Sequence, residues 1–332
     1  MNFIEKHWYK KGLTWLTILL LPVSYLYYFI SIIRKHILIS KASKNVGVPI
    51  VIVGNINIGG VGKSPFVSSL VSHLIHNDYH PGIVSRGYGG KAESYPLLVN
   101  NNTAVIASGD EPKMLYEQTR CPFVVDPNRS EAVKYLCEQF PEVDVVISDD
   151  GLQHYKLYRD IEIVIVEGKR RFGNQQIIPA GPLREPVSRL KSVDFLISNG
   201  VELPEYYQMS LLPVSVVNIT DKSELDLNWL ENRQVHAVSG IGNPNRFFSS
   251  LKELGAILTE HPYPDHYSFS KDDLTFNDDV PIIMTHKDAV KCENLNVPNM
   301  FYLKINANID QKFYDEFILR LQNCAFAQTV NR

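Results

Sequence analysis

Residues 48–76 constrain the fold of this chain more than any other stretch. Val48-Pro49-Ile50-Val51-Ile52-Val53 is a short apolar, β-branched run, and it ends in the glycine-rich turn Gly54-Asn55-Ile56-Asn57-Ile58-Gly59-Gly60-Val61-Gly62. From Pro65 to His76 the apolar residues Phe66, Leu70, Val71 and Leu74 then recur at helical spacing. Such a run reads as a strand buried on both faces. Strand, glycine turn and helix in that order open a nucleotide-binding α/β domain. The expected nucleotide-binding loop is therefore Asn57, Ile58, Gly59, Gly60, Val61, Gly62, Lys63, Ser64 and Pro65. Its backbone N–H groups can face phosphate oxygens, Lys63 can neutralise β- and γ-phosphates, and the Ser64 hydroxyl can ligate Mg²⁺. The strict G-x-x-x-x-G-K-[ST] pattern fails by one residue, because Asn57 stands where its first glycine belongs. Asparagine tolerates left-handed backbone angles better than most residues, so the loop is still expected to form.

More apolar runs follow at residues 82–85, 122–125, 143–148, 161–166 and 195–198, each ending in polar or glycine residues. Chemistry should collect at the carboxyl edge of the sheet they build. The third run delivers Asp149-Asp150, the carboxylates that a Mg²⁺ site beside a phosphate loop requires. Gln153 and His154 follow within one turn; His154 reads equally well as a phosphate or substrate contact and as a structural histidine. Gly109-Asp110-Glu111-Pro112 is expected on a loop, where a carboxylate can accept a proton from an attacking hydroxyl. Arg86, Arg129 and Arg184 sit at strand ends or in Pro/Gly loops, suited to phosphate or to a surface ion pair. Taken alone, Asp265-His266 and Thr285-His286-Lys287-Asp288 read as structural loop residues. Past residue 205, Val214 to Ile219 reads as a connecting strand. A second α/β region runs from Val235, with strands near 281–285 and 300–305.

The chain has 332 residues, room for two domains, with 45% hydrophobic and 21% charged residues. Its net charge of -3 excludes a generic nucleic-acid binder. Cys121, Cys137, Cys292 and Cys324 are too scattered for a zinc site or disulfide framework and read as reduced core thiols. The N-terminus departs from these averages. No charged residue occurs from Gly12 to Ile33, a stretch long enough to span a bilayer. Lys6, Lys10 and Lys11 precede it, Arg34, Lys35, Lys41 and Lys44 follow it, and Glu5 is the only acid in the first fifty residues. No small-residue cleavage site follows, which disfavours a signal peptide. A spanning helix kinked at Pro22, an interfacial helix on an anionic leaflet and a buried core helix all remain open. The expected organisation is a membrane-associated helix region over 1–44, a P-loop core domain with a parallel sheet over 45–215 and a smaller α/β domain over 216–332.

One ordered set of motifs goes further. Gly59-Gly60-Val61-Gly62-Lys63-Ser64-Pro65, Ser85-Arg86-Gly87-Tyr88-Gly89, Gly109-Asp110-Glu111-Pro112, Asp149-Asp150-Gly151-Leu152-Gln153-His154, Pro179-Ala180-Gly181-Pro182-Leu183-Arg184-Glu185 and Pro264-Asp265-His266 resemble the tetraacyldisaccharide 4'-kinases, the lipid A 4'-kinases of Gram-negative bacteria. The resemblance runs from the apolar segment to at least Asp288. It implies two α/β domains joined by a strand linker, with the N-terminal helix serving the membrane. It implies transfer of the γ-phosphate of ATP, with Mg²⁺, to the 4'-hydroxyl of a tetraacylated disaccharide 1-phosphate, giving lipid IVA at the cytosolic face of the inner membrane. Carried over residue by residue, Asp110 is the catalytic base, His266 its partner, Lys63 and Ser64 the P-loop pair, and Asp149 and Asp150 the Mg²⁺ carboxylates. Arg86, Glu111, Arg129, Gln153, His154 and Arg184 are the expected substrate contacts. A lipid substrate and the inner-membrane bilayer are the expected partners, nucleic acid is not, and the chain is expected to act as a monomer. Two other readings of the P-loop stay open at this point: a membrane-associated NTPase acting as a switch or delivery factor, and a non-catalytic nucleotide-binding scaffold.

Overall fold

A computed structural model describes residues 3–10, 12–42 and 46–330. Lys11 and Lys44 of the basic flanks lie outside them. The chain opens with α1 (Phe3–Trp8) and α2 (Trp15–Ser40), the latter capped by the Thr14 side chain and unbroken through Pro22. The phosphate-loop unit follows as β1 (Ile50–Gly54) and α3 (Lys63–His76). Pro65 sits in the first turn of α3, where a missing N–H costs no helical hydrogen bond. Then come β2 (Pro81–Ser85), β3 (Leu97–Leu98), α4 (Val105–Ser108), α5 (Asp110–Thr119), β4 (Phe123–Val125), α6 (Arg129–Gln139), β5 (Val145–Ser148), β6 (Ile161–Glu167) and β7 (Phe195–Asn199). The remainder is β8 (Tyr207–Asn218), β9 (Glu224–Leu225), β10 (Gln234–Ser239), α7 (Pro244–Glu253), β11 (Ile257–Pro262), β12 (Ile282–Thr285), α8 (His286–Cys292), β13 (Met300–Ile309) and α9 (Gln311–Val330).

The strands form a single sheet in the order β11-β10-β12-β13-β8-β7-β6-β1-β5-β2-β4-β3, with β9 paired to β8. Every pairing is parallel except β3 with β4, β8 with β13 and β8 with β9. All five residues of β1 are buried. Val51 and Val53 join one core with Phe66, Leu70 and Leu74 of α3, while Ile50 and Ile52 join the opposite core with Leu136 of α6. The alternation is the period-two geometry of a strand covered on both faces.

β8 is longer than the connecting strand expected at Val214 to Ile219. Its start pairs in parallel with β7, and Met209 to Asn218 run antiparallel to β13. The boundary expected at 215/216 therefore lies inside a strand shared by a first lobe (β1–β7) and a second lobe (β10–β13). After β13 the chain returns to the first lobe: Phe313 and Phe317 of α9 are fully buried, and the Phe313 ring lies 5.5 Å from that of Phe66. All four cysteines are free thiols, with Cys121, Cys292 and Cys324 buried and Cys137 half-buried.

The helix α2 docks through a narrow polar seam. Thr17 and Ser24 are buried, and Ser24 Oγ accepts from Ala180 N at 2.9 Å; beside it Trp8 Nε1, at the end of α1, donates to the Pro179 carbonyl at 2.9 Å. The rest of the helix is bare: Trp15, Leu19, Tyr25, Leu26 and Phe29 are each at least 60% exposed. Among the described residues α2 is the one helix long and apolar enough to cross a membrane. A buried core helix is ruled out by that exposure.

Candidate active site

The sheet brings the carboxyl ends of β1, β5 and β7 together around the glycine loop. Gly62 takes φ +95°, and a Cβ there would stand 2.6 Å from the Asn199 amide. That amide, at the end of β7, donates to the Val61 carbonyl at 2.8 Å and clamps the loop from above. Lys63 Nζ reaches Asn55 Oδ1 at 3.1 Å and Asp150 Oδ1 at 3.3 Å. Asn57 does not use a left-handed backbone, contrary to the reason expected from its tolerance of one. Its side chain instead donates to the Arg171 carbonyl at 2.7 Å, and Ile58 N donates to the Pro182 carbonyl at 2.8 Å. The loop that seats α2 thus also braces the phosphate loop.

The two aspartates after β5 have different surroundings. Asp150 takes φ +47° and faces Lys63 and Arg184, whose Nη1 lies 3.3 Å away. Burial pushes its carboxyl up, but Lys63, Arg184 and Arg129 outweigh burial and hold it at about 2. Asp149 is 2% exposed, and its Oδ1 has no hydrogen-bond partner. Burial, then Glu111 and Asp150, push its carboxyl up to about 7. A buried carboxyl oxygen left unpaired beside a second carboxylate fits a hard divalent cation, which would hold the group ionised. Asp149 and the Ser64 hydroxyl, in the first turn of α3, are the groups suited to hold Mg²⁺.

Without a cation, the protein is favoured by the protonated Asp149, and this contribution is lost as pH rises through about 7. Cation binding requires the anion, so thermal stabilisation by Mg²⁺ with nucleotide should grow between mildly acidic and mildly basic pH. In Asp149→Asn the stabilisation should be small and flat; differential scanning fluorimetry across pH reads both.

Asp110 was expected on a loop. It is instead the first residue of α5, preceded by Gly109 at φ +91°, where a Cβ would strike the Tyr88 carbonyl at 2.6 Å. The backbone crossing demands glycine, and Asp110 opens the helix with its side chain buried. Asp110 Oδ1 accepts from Glu111 N at 2.9 Å, and Oδ2 pairs with His266 Nδ1 at 2.9 Å across the lobes. Burial raises the Asp110 carboxyl, but the His266 hydrogen bond and the Lys287 charge prevail and hold it below the usual carboxylate value. On His266 the bond to Asp110 raises the pKa, and burial and Lys287 oppose it without cancelling it. His266, at φ +60°, also lies 5.5 Å from the exposed Tyr88 ring.

The remaining expected contacts divide. Arg184 and Gln153 belong to the site: Arg184 Nη1 donates to Gln153 Oε1 at 3.3 Å, and Gln153 Nε2 donates to Asn55 O and Glu185 Oε1. Arg129 is the first residue of α6 and 4% exposed, and its Nη2 donates to the Asp149 carbonyl at 2.8 Å. It supports the aspartate from behind and is no surface ion-pair residue. His154 is pushed down to about 4 by burial and then by Arg129, Arg159 and Arg86, so it is neutral. Arg86 is exposed on the loop after β2. Asn199 and Asn55 were given no role by the sequence, Glu185 stood there only as part of the 179–185 motif, and Lys287 was read as a structural loop residue. Asn199 and Lys287 both follow predicted strand runs, which is the signal that could have found them.

A family model described as "Tetraacyldisaccharide-1-P 4'-kinase" matches residues 16–323. A "Tetraacyldisaccharide 4'-kinase" of Hahella chejuensis is 44% identical over 328 residues, 96% of either chain. One of Pseudoalteromonas translucida is 45% identical over 313 residues, 92% of this chain and 93% of that one. A crystal structure described as the "apo" form of LpxK from Aquifex aeolicus in complex with ATP superposes with a TM-score of 0.77 at 30% identity. It covers 92% of this chain and 99% of the other.

Proposed function

The chain belongs to the tetraacyldisaccharide-1-P 4'-kinase family, and from that premise we infer how its own residues carry out the phosphorylation. It is an ATP-using kinase of lipid A biosynthesis, which disfavours the switch or delivery NTPase. The reaction assigned to it moves the γ-phosphate of ATP to the 4'-hydroxyl of a tetraacyldisaccharide 1-phosphate, giving lipid IVA. The observation that carries the assignment of roles is the 2.9 Å pairing of Asp110 with His266, one from each lobe.

Within the 57–65 loop, the backbone N–H groups of residues 59–64 and the α3 N-terminus bind the triphosphate, with Lys63 on the β- and γ-phosphates, while Ile58 N–H is held by the Pro182 carbonyl and Pro65 has none to offer. Bound Mg²⁺, held by Ser64 and Asp149 with Asp150 beside them, would supply charge neutralisation on the transferring phosphoryl group. Asp110, ionised at neutral pH, takes the proton of the attacking hydroxyl, and His266 holds the carboxylate on line. A loose phosphoryl-transfer transition state asks little of the base until late, so a carboxylate of low pKa suffices.

A cavity of about 330 Å³ opens between α2 and the body, lined by Tyr28 and Lys35 of the helix and by Arg184, Glu185 and Arg189. It joins the apolar helix to Arg184, the residue that holds Asp150. We assign it to the substrate headgroup: the cationic rim takes phosphate and sugar oxygens while the acyl chains stay in the bilayer. The bare face of α2 and its basic flanks suit the cytosolic surface of the inner membrane. With Leu19→Glu and Ile30→Glu together, vesicle partitioning should fall by at least about 10²-fold, since each lost apolar side chain is worth about 1.5–3 kcal/mol. Flotation on anionic liposomes measures it. The function itself is tested in detergent micelles with γ-labelled ATP, Mg²⁺ and the tetraacylated disaccharide 1-phosphate. Label is expected on the lipid; nucleotide hydrolysis without labelled lipid would overturn the assignment.

A further inference from the structure

The Asp110–His266 pair is faced by a third group, which the mechanism above leaves unused. Lys287, in the first turn of α8, has a side chain only 15% exposed. Its ammonium lies 3.4 Å from His266 Nε2, 3.2 Å from Glu111 Oε1, 3.4 Å from Asp265 Oδ1 and 3.9 Å from Asp110 Oδ2. We propose that Lys287 is a positioning residue for the transfer. From the second lobe it keeps the Asp110–His266 pair in its one-proton form, with Nδ1–H turned to Asp110, so that the base meets the substrate hydroxyl charged. The proposal rests on the assignment of Asp110 as base.

An ammonium carries three donors and no acceptor. Opposite His266 Nε2 it can only donate to the ring lone pair. The single ring proton then sits on Nδ1, at the end facing Asp110 Oδ2, and the tautomer is set from both sides. A second proton on the pair, whether on Nε2 or on the carboxylate, would meet the nearby positive charge. An opposite charge within about 4–6 Å favours the ionised carboxylate, and a like charge at that range disfavours the imidazolium.

The other groups around the pair do not supply this. From α5 come Asp110 and Glu111, from the loop after β11 Asp265, and from the loop after β2 the Tyr88 ring. From α8 comes Lys291, which also acts on Asp110 but is occupied by Asp288 at 2.6 Å and the Tyr267 carbonyl. Lys287 itself stays charged, because Glu111, Asp110 and Asp265 outweigh its burial. Its placement is firm. Thr285 caps α8 by accepting from Asp288 N at 3.2 Å, and the fully buried Asp288 accepts from Gly240 N at 2.9 Å. Lys287 therefore reaches α5 only where the two lobes meet, and the base is complete only there.

The test measures kcat and KM for ATP against pH in the micelle assay, for wild type, Lys287→Met, Lys287→Arg and Asp110→Asn. Removing the cation raises the proton affinity of both Asp110 and His266. The acid limb of Lys287→Met should therefore move to higher pH by on the order of one unit, with kcat at neutral pH down about tenfold and KM for ATP within about twofold. Lys287→Arg keeps the charge and should keep the limb in place. A methionine variant with a superimposable acid limb and an even loss at all pH overturns the proposal, as does a change confined to KM for ATP. Should that variant melt early, Lys287→Gln is read by the same criteria. If Asp110→Asn retains the wild-type rate, the base assignment falls instead, a result separate from any shift in the Lys287 series.

Discussion

Asp110→Asn should lower kcat by about 10³-fold and leave ATP bound. A positioned general base contributes about 10²–10⁴-fold, and Asp110 is the carboxylate that the second lobe is built to orient. The amide keeps the volume of the 6%-exposed side chain and can still touch His266. Packing is thus preserved while the charge and the proton acceptor are lost. Nucleotide affinity should be nearly unchanged, because Asp110 accepts from Glu111 N and pairs with His266, and makes no hydrogen bond with the phosphate loop, Lys63 or Asp149. Isothermal titration with a non-hydrolysable nucleotide, beside the micelle assay, separates the two quantities. Retained transfer in this variant would remove Asp110 from the mechanism. Retained binding with no transfer is incompatible with a scaffold whose only task is to hold nucleotide.

Lys63→Met should cut kcat/KM for ATP by about 10³-fold through a different route. The ammonium bridges Asn55 Oδ1 and Asp150 and lies where the β- and γ-phosphates are expected. Losing one preorganised charge at a transferring phosphoryl group costs on the order of 10²–10³-fold. Asp150 then keeps only Arg184 and Arg129 as opposing charges, so its carboxyl rises from about 2 and its repulsion toward the phosphates goes unanswered. Lys63→Arg should rescue little, since a planar guanidinium cannot replace a point charge between Asn55 and Asp150. Both nucleotide affinity and turnover are expected to fall, in contrast to Asp110→Asn. Steady-state kinetics with nucleotide titration distinguishes the pair, and an unchanged KM for ATP in Lys63→Met would count against the phosphate-loop reading.

How much of this was legible in the chain varies with the range of the interaction. β1, the glycine loop and α3 could be read within thirty residues, because a buried strand, φ-permissive turn and amphipathic helix each leave a local pattern. Asp149-Asp150 was legible for the same reason. Asp110 was placed on a loop because Pro112 and Gly109 read as turn residues; the structure uses both to begin α5. β11 went unread because Ile257 to Pro262 mixes apolar with exposed polar residues, as an edge strand does. β8 was seen as a short connector because Pro213 interrupts it, and its pairing register with β13 shifts at that point.

The local sequence decided the class of chemistry, since a phosphate loop depends on backbone angles and near neighbours that a few consecutive residues specify. It also decided that a long apolar helix precedes the body, because length and uncharged composition are properties of one segment. It did not decide what Asn57 is for, nor that Arg129 is buried rather than paired at the surface. His266 was set beside Asp110 by the family resemblance alone, and no local pattern showed that Lys287 faces the same carboxylate. Those partners lie 114 residues apart for Asn57 and Arg171, and 156 for Asp110 and His266. Such pairs are brought together by the strand order of the sheet and by β8 passing from one lobe to the other. Hydrogen bonds and charge contacts act over a few ångströms, and only folding converts that separation along the chain into contact.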